Sequence, residues 1–185
     1  MEELFVDIKE EMIDGKIYNM APVRSNHSMV VINIGDIIKK YLLEKGKDCI
    51  VSQDNLDLHI DDKTYVTPDI MVICDKTRFI YEGYNGVPEL VVEVLSKSTV
   101  KLDRVIKFKK YCKLGIKEYW IVHPEDKILE QYVIDNNEYN LLDVYYIELI
   151  DKEGFPKSKR EFNANVFEDL KINLFDVFKN VLDYK

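Results

Sequence analysis

The run Glu89–Leu95, with the sequence ELVVEVL, constrains the fold of this chain more than any other segment. It is a nearly continuous series of aliphatic and β-branched residues, which is typical of a β-strand whose two faces are both covered. Such a strand lies inside a sheet that carries other elements on each side. A second run of this kind, EYWIVHP at residues 118–124, predicts another central strand.

Turn and helix signals place the remaining elements around these two strands. Asp14-Gly15 separates two apolar stretches and predicts a β-hairpin near the N-terminus. A first long helix is expected over residues 25–43, and a second helix from Ser98 or Thr99 to Leu114. Shorter patterned runs predict outer strands at residues 49–53, 56–60, 65–74, 128–134 and 138–150. A short C-terminal helix is expected at residues 174–182.

Length and composition fit one compact domain spanning residues 1–185. The chain is 46% apolar and 32% charged, and it contains no repeat, low-complexity tract or linker. No apolar run approaches the roughly 18 residues that span a bilayer, and the opening MEELFVDIKEEM is acidic where a signal peptide would be basic. We therefore expect a cytoplasmic protein without a membrane segment, whose Cys49, Cys74 and Cys112 are reduced core thiols.

The net charge of −8 conceals a basic run at residues 97–117, where eight Lys or Arg residues stand against one acid, Asp103. A solvated helix face is one interpretation of this run. The other is a surface that neutralises the phosphates of a nucleic acid. On the second interpretation, the side chains expected to contact phosphates are Lys101, Arg104, Lys110 and Lys113.

Two carboxylates occur where apolar strands would exclude them. Glu93 interrupts the central run, and Asp69 stands between Pro68 and the apolar run Ile70–Ile73. Burying a carboxylate is costly unless it is paired or binds a metal. On neighbouring strands the two acids could hold one Mg²⁺, which takes one or two carboxylates and keeps its other positions for water and phosphate oxygens. By residue type alone an alternative stays open, in which Asp69 caps a turn and Glu93 pairs with a lysine of the following helix.

The ordered set of motifs resembles the Uma-two family, a restriction-endonuclease-like branch of the PD-(D/E)XK nucleases. The resemblance rests on EMIDGKIYNMAP, on His27 near the start of the first helix, and on TPDIMVICD, VPELVVEVLSKST and DRVIKFKKYCKLGIKEYWIVHPE. It implies an α/β (α+β) fold, with a restriction-endonuclease-like core in which helices flank a mixed central β-sheet, plus the N-terminal β-hairpin. It also implies hydrolysis of DNA phosphodiester bonds with Mg²⁺ or Mn²⁺, and a homodimer.

The same resemblance gives roles to individual residues. The hairpin acid is Glu11, the PD aspartate is Asp69, the EVLS glutamate is Glu93, and Lys107 is the lysine of the D-x3-K-x3-Y helix. Asp69, Glu93 and the main-chain carbonyl of Val94 are expected to bind the metal. Lys107 is expected to orient the attacking water and to stabilise the transition state.

Two positions depart from the family pattern, and two assignments stay open. The parent superfamily has a lysine where this chain has Leu95, and the family's YWLVDP is YWIVHP here, with His123 replacing the aspartate. Lys109 is the alternative catalytic lysine, because a spacing of 100° per residue places it on the apolar helix face and Lys107 on a polar flank. His27 is a secondary catalytic candidate, beside the commoner role of a structural hydrogen bond.

Two further functions are compatible with these residues. The first is a catalytically inactive nucleic-acid-binding or regulatory module that keeps the acids for structure. The second is a metal-dependent hydrolase of a small phosphoester, which would need a closed pocket and little help from the basic run. Binding of Mg²⁺ or Mn²⁺ distinguishes the first from a nuclease, and competition by duplex DNA distinguishes the second.

Overall fold

The computed structural model describes residues 9–20, 22, 24–53, 56–97, 99–150, 154 and 156–183. The helical elements in these ranges are α1 (Ser25–Glu44), a 3-10 turn (Lys76–Arg78), a π-helical segment (Leu102–Lys107), α2 (Phe108–Leu114) and α3 (Leu174–Val177). The strands are β1 (Glu10–Ile13), β2 (Lys16–Asn19), β3 (Ile50–Gln53), β4 (Asp57–Asp61), β5 (Thr64–Val66), β6 (Ile70–Ile73), β7 (Phe79–Ile80), β8 (Gly83–Tyr84), β9 (Leu90–Val94), β10 (Glu118–His123), β11 (Ile128–Asp135), β12 (Glu138–Ile150), β13 (Pro156–Lys159), β14 (Glu161–Asn163) and β15 (Lys171–Asn173).

The largest sheet contains seven strands in the order β13-β12-β11-β10-β9-β6-β3. Its neighbouring strands β9 and β10 are parallel, with Ile121 opposite Glu93, and its other neighbours are antiparallel. All five residues of β9 are buried. The mixed central sheet is therefore confirmed, and both apolar runs form central strands as predicted.

Two hydrophobic cores lie on the two faces of this sheet. Val92 and Val94 of β9 pack in the core beneath α1, whereas Val91 and Leu95 pack in the opposite core beside α2. Because side chains alternate along a strand, Glu93 points towards the α2 side. Each fully buried aliphatic side chain contributes roughly 1.5–3 kcal/mol, so the apolar residues of β9 together offset the cost of one buried carboxylate.

A second sheet, in the order β2-β1-β5-β4-β8-β7, packs on the α2 side. Its hairpin β1–β2 turns at Asp14 and Gly15, whose φ angles of 52° and 76° are those required by a two-residue hairpin turn. The Asp14 amide donates to Thr64 Oγ1 at 3.2 Å and the Gly15 amide to the Lys63 carbonyl at 2.8 Å. The predicted hairpin is confirmed, and these bonds fix the strand that carries Glu11.

The second helix departs from a regular α-helix at its start. Residues Leu102–Lys107 are π-helical, and the Phe108 amide donates to the carbonyl of Asp103, five residues earlier. A π-helix has more residues per turn than the 100° spacing assumes. The regular spacing of 100° per residue places Val105 and Lys109 on the apolar face of the helix, and this prediction is wrong for both, because Val105 is 44% exposed and Lys109 is also exposed. The buried residues, which follow one another at intervals of four, are Asp103, Lys107 and Tyr111.

A glycine with a positive φ angle follows each of the helices α1 and α2. Gly46 follows α1 with a φ of 60°, and Gly115 follows α2 with a φ of 89°, a left-handed conformation that costs glycine little. The second helix starts where the sequence predicts, because the chain is helical from Val100 and the Thr99 carbonyl accepts a hydrogen bond of 2.9 Å from the Asp103 amide. Ser98 lies outside the described residues, and Thr99 Oγ1 accepts a hydrogen bond from the Ser96 amide.

Two further predictions from the sequence concern the length of the C-terminal helix and the presence of a membrane-spanning segment. α3 ends at Val177, so it is shorter than the predicted helix at residues 174–182. Within the described ranges, none of the helices is both long enough and apolar enough to cross a bilayer.

Cys49 and Cys74 form a disulfide bond. In the antiparallel pair β3–β6, Ile50 is opposite Ile73, and one further step of this register brings the two cysteines face to face. The prediction of three reduced thiols is therefore wrong for this pair, whose contact is hidden by the 25 residues between them. Cys112 is a free thiol.

Candidate active site

Asp69 and Glu93 lie side by side on neighbouring strands. Ile70 of β6 is opposite Val92 of β9, and one further step of this antiparallel register brings Asp69 opposite Glu93. The Asp69 amide lies 3.4 Å from Glu93 Oε2, and Asp69 Oδ2 accepts a hydrogen bond of 2.6 Å from the Val94 amide. Both acids are buried. Strand pairing therefore holds the two carboxylates together.

The two carboxylates repel each other in this buried position. Burial, followed by the negative charge of Glu93, raises the pKa of Asp69 to about 8, although His27 and Lys107 act in the opposite direction. His27 lies in the first turn of α1, and its Nε2 is 3.1 Å from Asp69 Oδ2. A pair of this kind is relieved either by a proton or by an added cation.

Lys107 is the positive charge at the centre of a larger group of acids. Its ammonium lies 2.8 Å from Glu11 Oε1, 3.2 Å from Glu93 Oε1 and 3.5 Å from Asp103 Oδ1. Burial alone would lower the pKa of Lys107, but these three carboxylates together raise it well above its ordinary value. Lys107 therefore remains a cation and cannot act as a proton acceptor at neutral pH.

Further donors hold Glu11 and Glu93 in place. The Thr67 amide donates to Glu11 Oε1 at 2.9 Å, which ties the hairpin acid to the segment just before Asp69. The Tyr111 hydroxyl donates to Glu93 Oε1 at 2.7 Å. Burial, and then the charge of Glu93, raise the pKa of Tyr111 well above its ordinary value, so the hydroxyl keeps its proton.

Asp103 is a fourth acid in this cluster. Burial, followed by the charge of Glu93, raises the pKa of Asp103 to about 7, against the attraction of Lys107. Its main-chain carbonyl accepts a hydrogen bond of 3.2 Å from the Tyr119 hydroxyl. The sequence indicates Asp103 only as the first residue of D-x3-K-x3-Y, because regular helical spacing does not reveal the π-helical turn that buries it.

The residues that the family pattern singles out come together in one cluster, and they are Glu11, Asp69, Glu93 and Lys107. His27 joins them through its contact with Asp69. The alternative that pairs Glu93 with a lysine of the following helix also describes the structure, since Lys107 is that lysine. Asp69, by contrast, accepts its hydrogen bond from the neighbouring strand and not from a turn.

Asp69 and Glu93 are the donors that this cluster offers to a metal. Among the described residues, no three His, Cys, Asp or Glu side chains are already arranged as a metal-binding group. Two carboxylates nevertheless suit Mg²⁺, which often binds through one or two of them and fills its other positions with water and substrate oxygens. A divalent cation placed between the two buried carboxylates would offset the repulsion between them.

The basic run divides into exposed and paired side chains. Lys101, Lys109 and Lys113 are exposed, so the expectation that Lys109 points towards the sheet is wrong. Lys110 forms an ion pair with Asp14 of the hairpin turn and is mostly covered. The run therefore offers separate exposed lysines and not one continuous basic face.

Arg104 belongs to a polar cluster that the sequence did not reveal. Its guanidinium contacts Glu130 of β11 and lies 2.7 Å from His123 Nε2, at the position where the family pattern has an aspartate. The Tyr132 hydroxyl also donates to Glu130. Burial opposes ionisation of Glu130, but hydrogen bonds from His123, Arg104 and Tyr132 lower its pKa to about 2. Arg104 is thus already paired with a carboxylate.

This chain is similar to known proteins in family, in sequence and in fold. The family model Uma2, described as "Putative restriction endonuclease", matches residues 4–162. An "Uncharacterized protein slr1290" of Synechocystis is 36% identical over 104 residues, which are 56% of this chain and 54% of that protein, so the match spans about half of the relative. A crystal structure described as "a putative nuclease belonging to DUF820", from Anabaena variabilis, has a TM-score of 0.70 at 17% identity and covers 94% of this chain and 91% of its own. At this identity the likeness establishes a shared fold.

Proposed function

This chain belongs to the Uma2 family, as its motifs predict, and from this premise we propose that it is a divalent-metal-dependent endonuclease that hydrolyses DNA phosphodiester bonds. The observation that carries the proposal is the juxtaposition of two buried carboxylates, Asp69 and Glu93, beside the buried ammonium of Lys107. The structural neighbour, which is described as a nuclease, supports the same class of reaction.

Asp69, Glu93 and the main-chain carbonyl of Val94 would hold Mg²⁺ or Mn²⁺. When bound, such a cation supplies positive charge against the scissile phosphate and makes a water molecule easier to deprotonate. The Val94 amide fixes the orientation of the Asp69 carboxylate, so this side chain would not need to rotate in order to bind a cation. Lys107 carries its charge beside Glu93, where it would stabilise the negative charge that develops on the phosphate.

Glu11 and His27 act on this site from opposite sides. Glu11 contacts the Lys107 ammonium from the hairpin, which keeps the lysine between the two sheets. His27 contacts Asp69 from α1 and opposes the rise in the pKa of that acid. We propose that both residues hold the reactive groups in place. Lys109 is exposed, and we assign it no role in the active site.

The exposed lysines Lys101 and Lys113 are proposed to contact DNA phosphates. Lysine contacts of this kind release condensed counterions, so DNA affinity should fall steeply with salt even though the chain carries a net charge of −8. Arg104 and Lys110 contribute less, because each must first leave an acidic partner. A homodimer is proposed from the family resemblance.

The direct test is cleavage of supercoiled and linear DNA in the presence of Mg²⁺, Mn²⁺ or EDTA. We expect cleavage by the wild type with either metal, no cleavage in EDTA, and a loss of at least a hundredfold in Glu93→Gln. Glu89→Gln is the matched control, because Glu89 lies just before the same strand but forms a surface ion pair with Lys117. Equal cleavage by both variants would remove Glu93 from the active site.

One observation favours a second function, that of a catalytically inactive nucleic-acid-binding or regulatory module. Lys107 already neutralises Glu11 and Glu93 from inside the protein, as expected if these acids only stabilise the fold. Calorimetry at low salt separates the two functions. DNA binding without any binding of Mg²⁺ or Mn²⁺ would establish the module and exclude the nuclease.

A further inference from the structure

The two carboxylate oxygens of Glu93 have different neighbours. Oε1 receives the Tyr111 hydroxyl at 2.7 Å and the Lys107 ammonium at 3.2 Å. Oε2 instead faces Asp69, whose amide lies 3.4 Å away. The carboxylate is therefore held at one oxygen by two donors on the helix and directed with the other oxygen towards the second acid.

We propose that Tyr111 is a positioning residue of the metal site. Its hydroxyl fixes the rotation of the Glu93 carboxylate, so that Oε2 is presented to a divalent cation next to Asp69. This inference rests on the proposed function, since it takes the acid pair to be the place where the metal binds. Residues that orient a metal ligand without touching the metal commonly change metal affinity by about 10- to 100-fold.

Tyr111 is suited to this task because it is rigid. Its side chain is fully buried, and its ring packs edge-on against Tyr119 with 5.3 Å between ring centroids. Its main-chain carbonyl accepts hydrogen bonds from the amides of Gly115 and Ile116 at the end of the helix. With both backbone and ring fixed, the hydroxyl has little freedom to follow a rotating carboxylate.

Lys107 cannot provide the same orientation. Its ammonium is shared among Glu11, Glu93 and Asp103, so it attracts the Glu93 carboxylate without selecting one direction for it. The Tyr111 hydroxyl makes one short, directed hydrogen bond to that carboxylate.

A purely structural role for Tyr111 makes a different prediction. If the hydroxyl only satisfied a buried carboxylate, its removal would lower stability and leave metal affinity unchanged. Tyr119 supplies the matched control, because it is equally buried in the same aromatic group and its hydroxyl donates to the Asp103 carbonyl and not to Glu93. Tyr111→Phe and Tyr119→Phe thus each remove one buried hydroxyl, but only the first touches the acid pair.

The experiment measures Mg²⁺ and Mn²⁺ binding to the full chain by isothermal titration calorimetry, together with the metal-dependent rise in Tm. We expect Tyr111→Phe to weaken metal binding by about tenfold or more and Tyr119→Phe by no more than about twofold. In cleavage assays, Tyr111→Phe should need a correspondingly higher Mg²⁺ concentration for half-maximal rate and should recover most of its rate at saturating Mg²⁺.

The outcomes separate this inference from the proposed function. Equal metal affinities in the wild type and Tyr111→Phe would overturn the positioning role and leave the nuclease untouched. Weaker metal binding in Tyr111→Phe, in a protein that binds metal but cleaves no DNA, would support the positioning role and refute the nuclease. A wild type that binds neither metal would refute both.

A second measurement keeps the inference testable even if Tyr111→Phe fails to fold. Site-specific 3-fluorotyrosine at position 111 retains the hydroxyl and reports on its hydrogen bond through the ¹⁹F resonance. Addition of Mg²⁺ should shift this resonance and should shift one placed at Tyr119 much less. A signal at position 111 that does not respond to a saturating metal concentration would overturn the proposal.

Discussion

Replacing Asp69 by asparagine should stabilise the metal-free protein at alkaline pH. The pKa of Asp69 is raised from 3.8 to about 8 in the folded chain, by burial first and by the charge of Glu93 second. Asparagine keeps the shape of the side chain and an oxygen that can accept the hydrogen bond from the Val94 amide, but it carries no charge. The variant therefore removes the repulsion while retaining the contact between strands.

The sign and size of the effect follow from proton linkage. Between pH 4 and pH 8 the folded chain binds the Asp69 proton more tightly than the unfolded chain does, so stability falls as pH rises through this interval. The penalty is absent below about pH 4 and reaches its full value above about pH 8. The change in the pKa of Asp69 corresponds to a penalty of at most roughly 5 kcal/mol at pH 8 and roughly 2 kcal/mol at pH 5.

The assay is urea unfolding in EDTA between pH 5 and pH 8, followed by circular dichroism. Asp69→Asn should be more stable than the wild type at pH 8, and the difference should shrink towards pH 5. Asp36→Asn, which alters an exposed acid of α1, should follow the wild type at each pH. Parallel curves for the wild type and Asp69→Asn would refute the reasoning, because they would show that Asp69 is not strained by its neighbours.

Three further predictions concern the lysines. Lys107→Met should destabilise the protein by about 3–5 kcal/mol, because it leaves buried carboxylates unpaired. Lys109→Met should change stability by no more than about 0.5 kcal/mol. Similar midpoints of urea unfolding for the two variants would contradict this prediction. Lys101→Glu combined with Lys113→Glu should weaken DNA binding regardless of sequence and reduce the slope of log affinity against log salt by about two, measured by fluorescence anisotropy. An unchanged slope would place DNA elsewhere. Lys110→Met should accelerate amide hydrogen exchange in the N-terminal hairpin, at a cost of at most about 1 kcal/mol; unaltered exchange would mean that this ion pair does not hold the hairpin.

Elements with a strong local signal were predictable from the sequence. ELVVEVL could hardly be anything but an enclosed strand, and Asp14-Gly15 between apolar stretches specifies a tight hairpin. The motifs around Asp69 and Glu93 indicated the family, and the family resemblance in turn implied the mixed sheet. Each of these signals depends on a few consecutive residues, so no knowledge of distant contacts was needed.

Features that depend on pairing between distant segments were not predictable in the same way. The disulfide between Cys49 and Cys74 depends on the register of two strands, which composition and spacing do not specify. The partners of Arg104 lie on β10 and β11, whose side chains approach the helix only in the folded chain.

The π-helical turn accounts for the error in choosing between the two lysines by helical geometry. A regular α-helix places Lys109 on the inner face, but the additional residue in the turn from Asp103 to Phe108 rotates Lys107 inwards instead. The D-x3-K-x3-Y pattern was the better guide to burial, because its three named residues, Asp103, Lys107 and Tyr111, are the ones that this helix buries. Whether Lys107 also takes part in catalysis stays a prediction for the cleavage assay.

The position of Lys107 also bears on whether this chain needs a metal ion in order to fold. In small zinc domains the ligands cannot pack until the ion arrives, so metal uptake and folding are a single event. Here an ammonium belonging to the chain itself neutralises acids from three different segments, and the two sheets can close around them without any ion from solution. On the proposed function, a divalent cation could then leave and return without unfolding the protein. Metal concentration would therefore control how much of the protein is active, and not how much of it is folded.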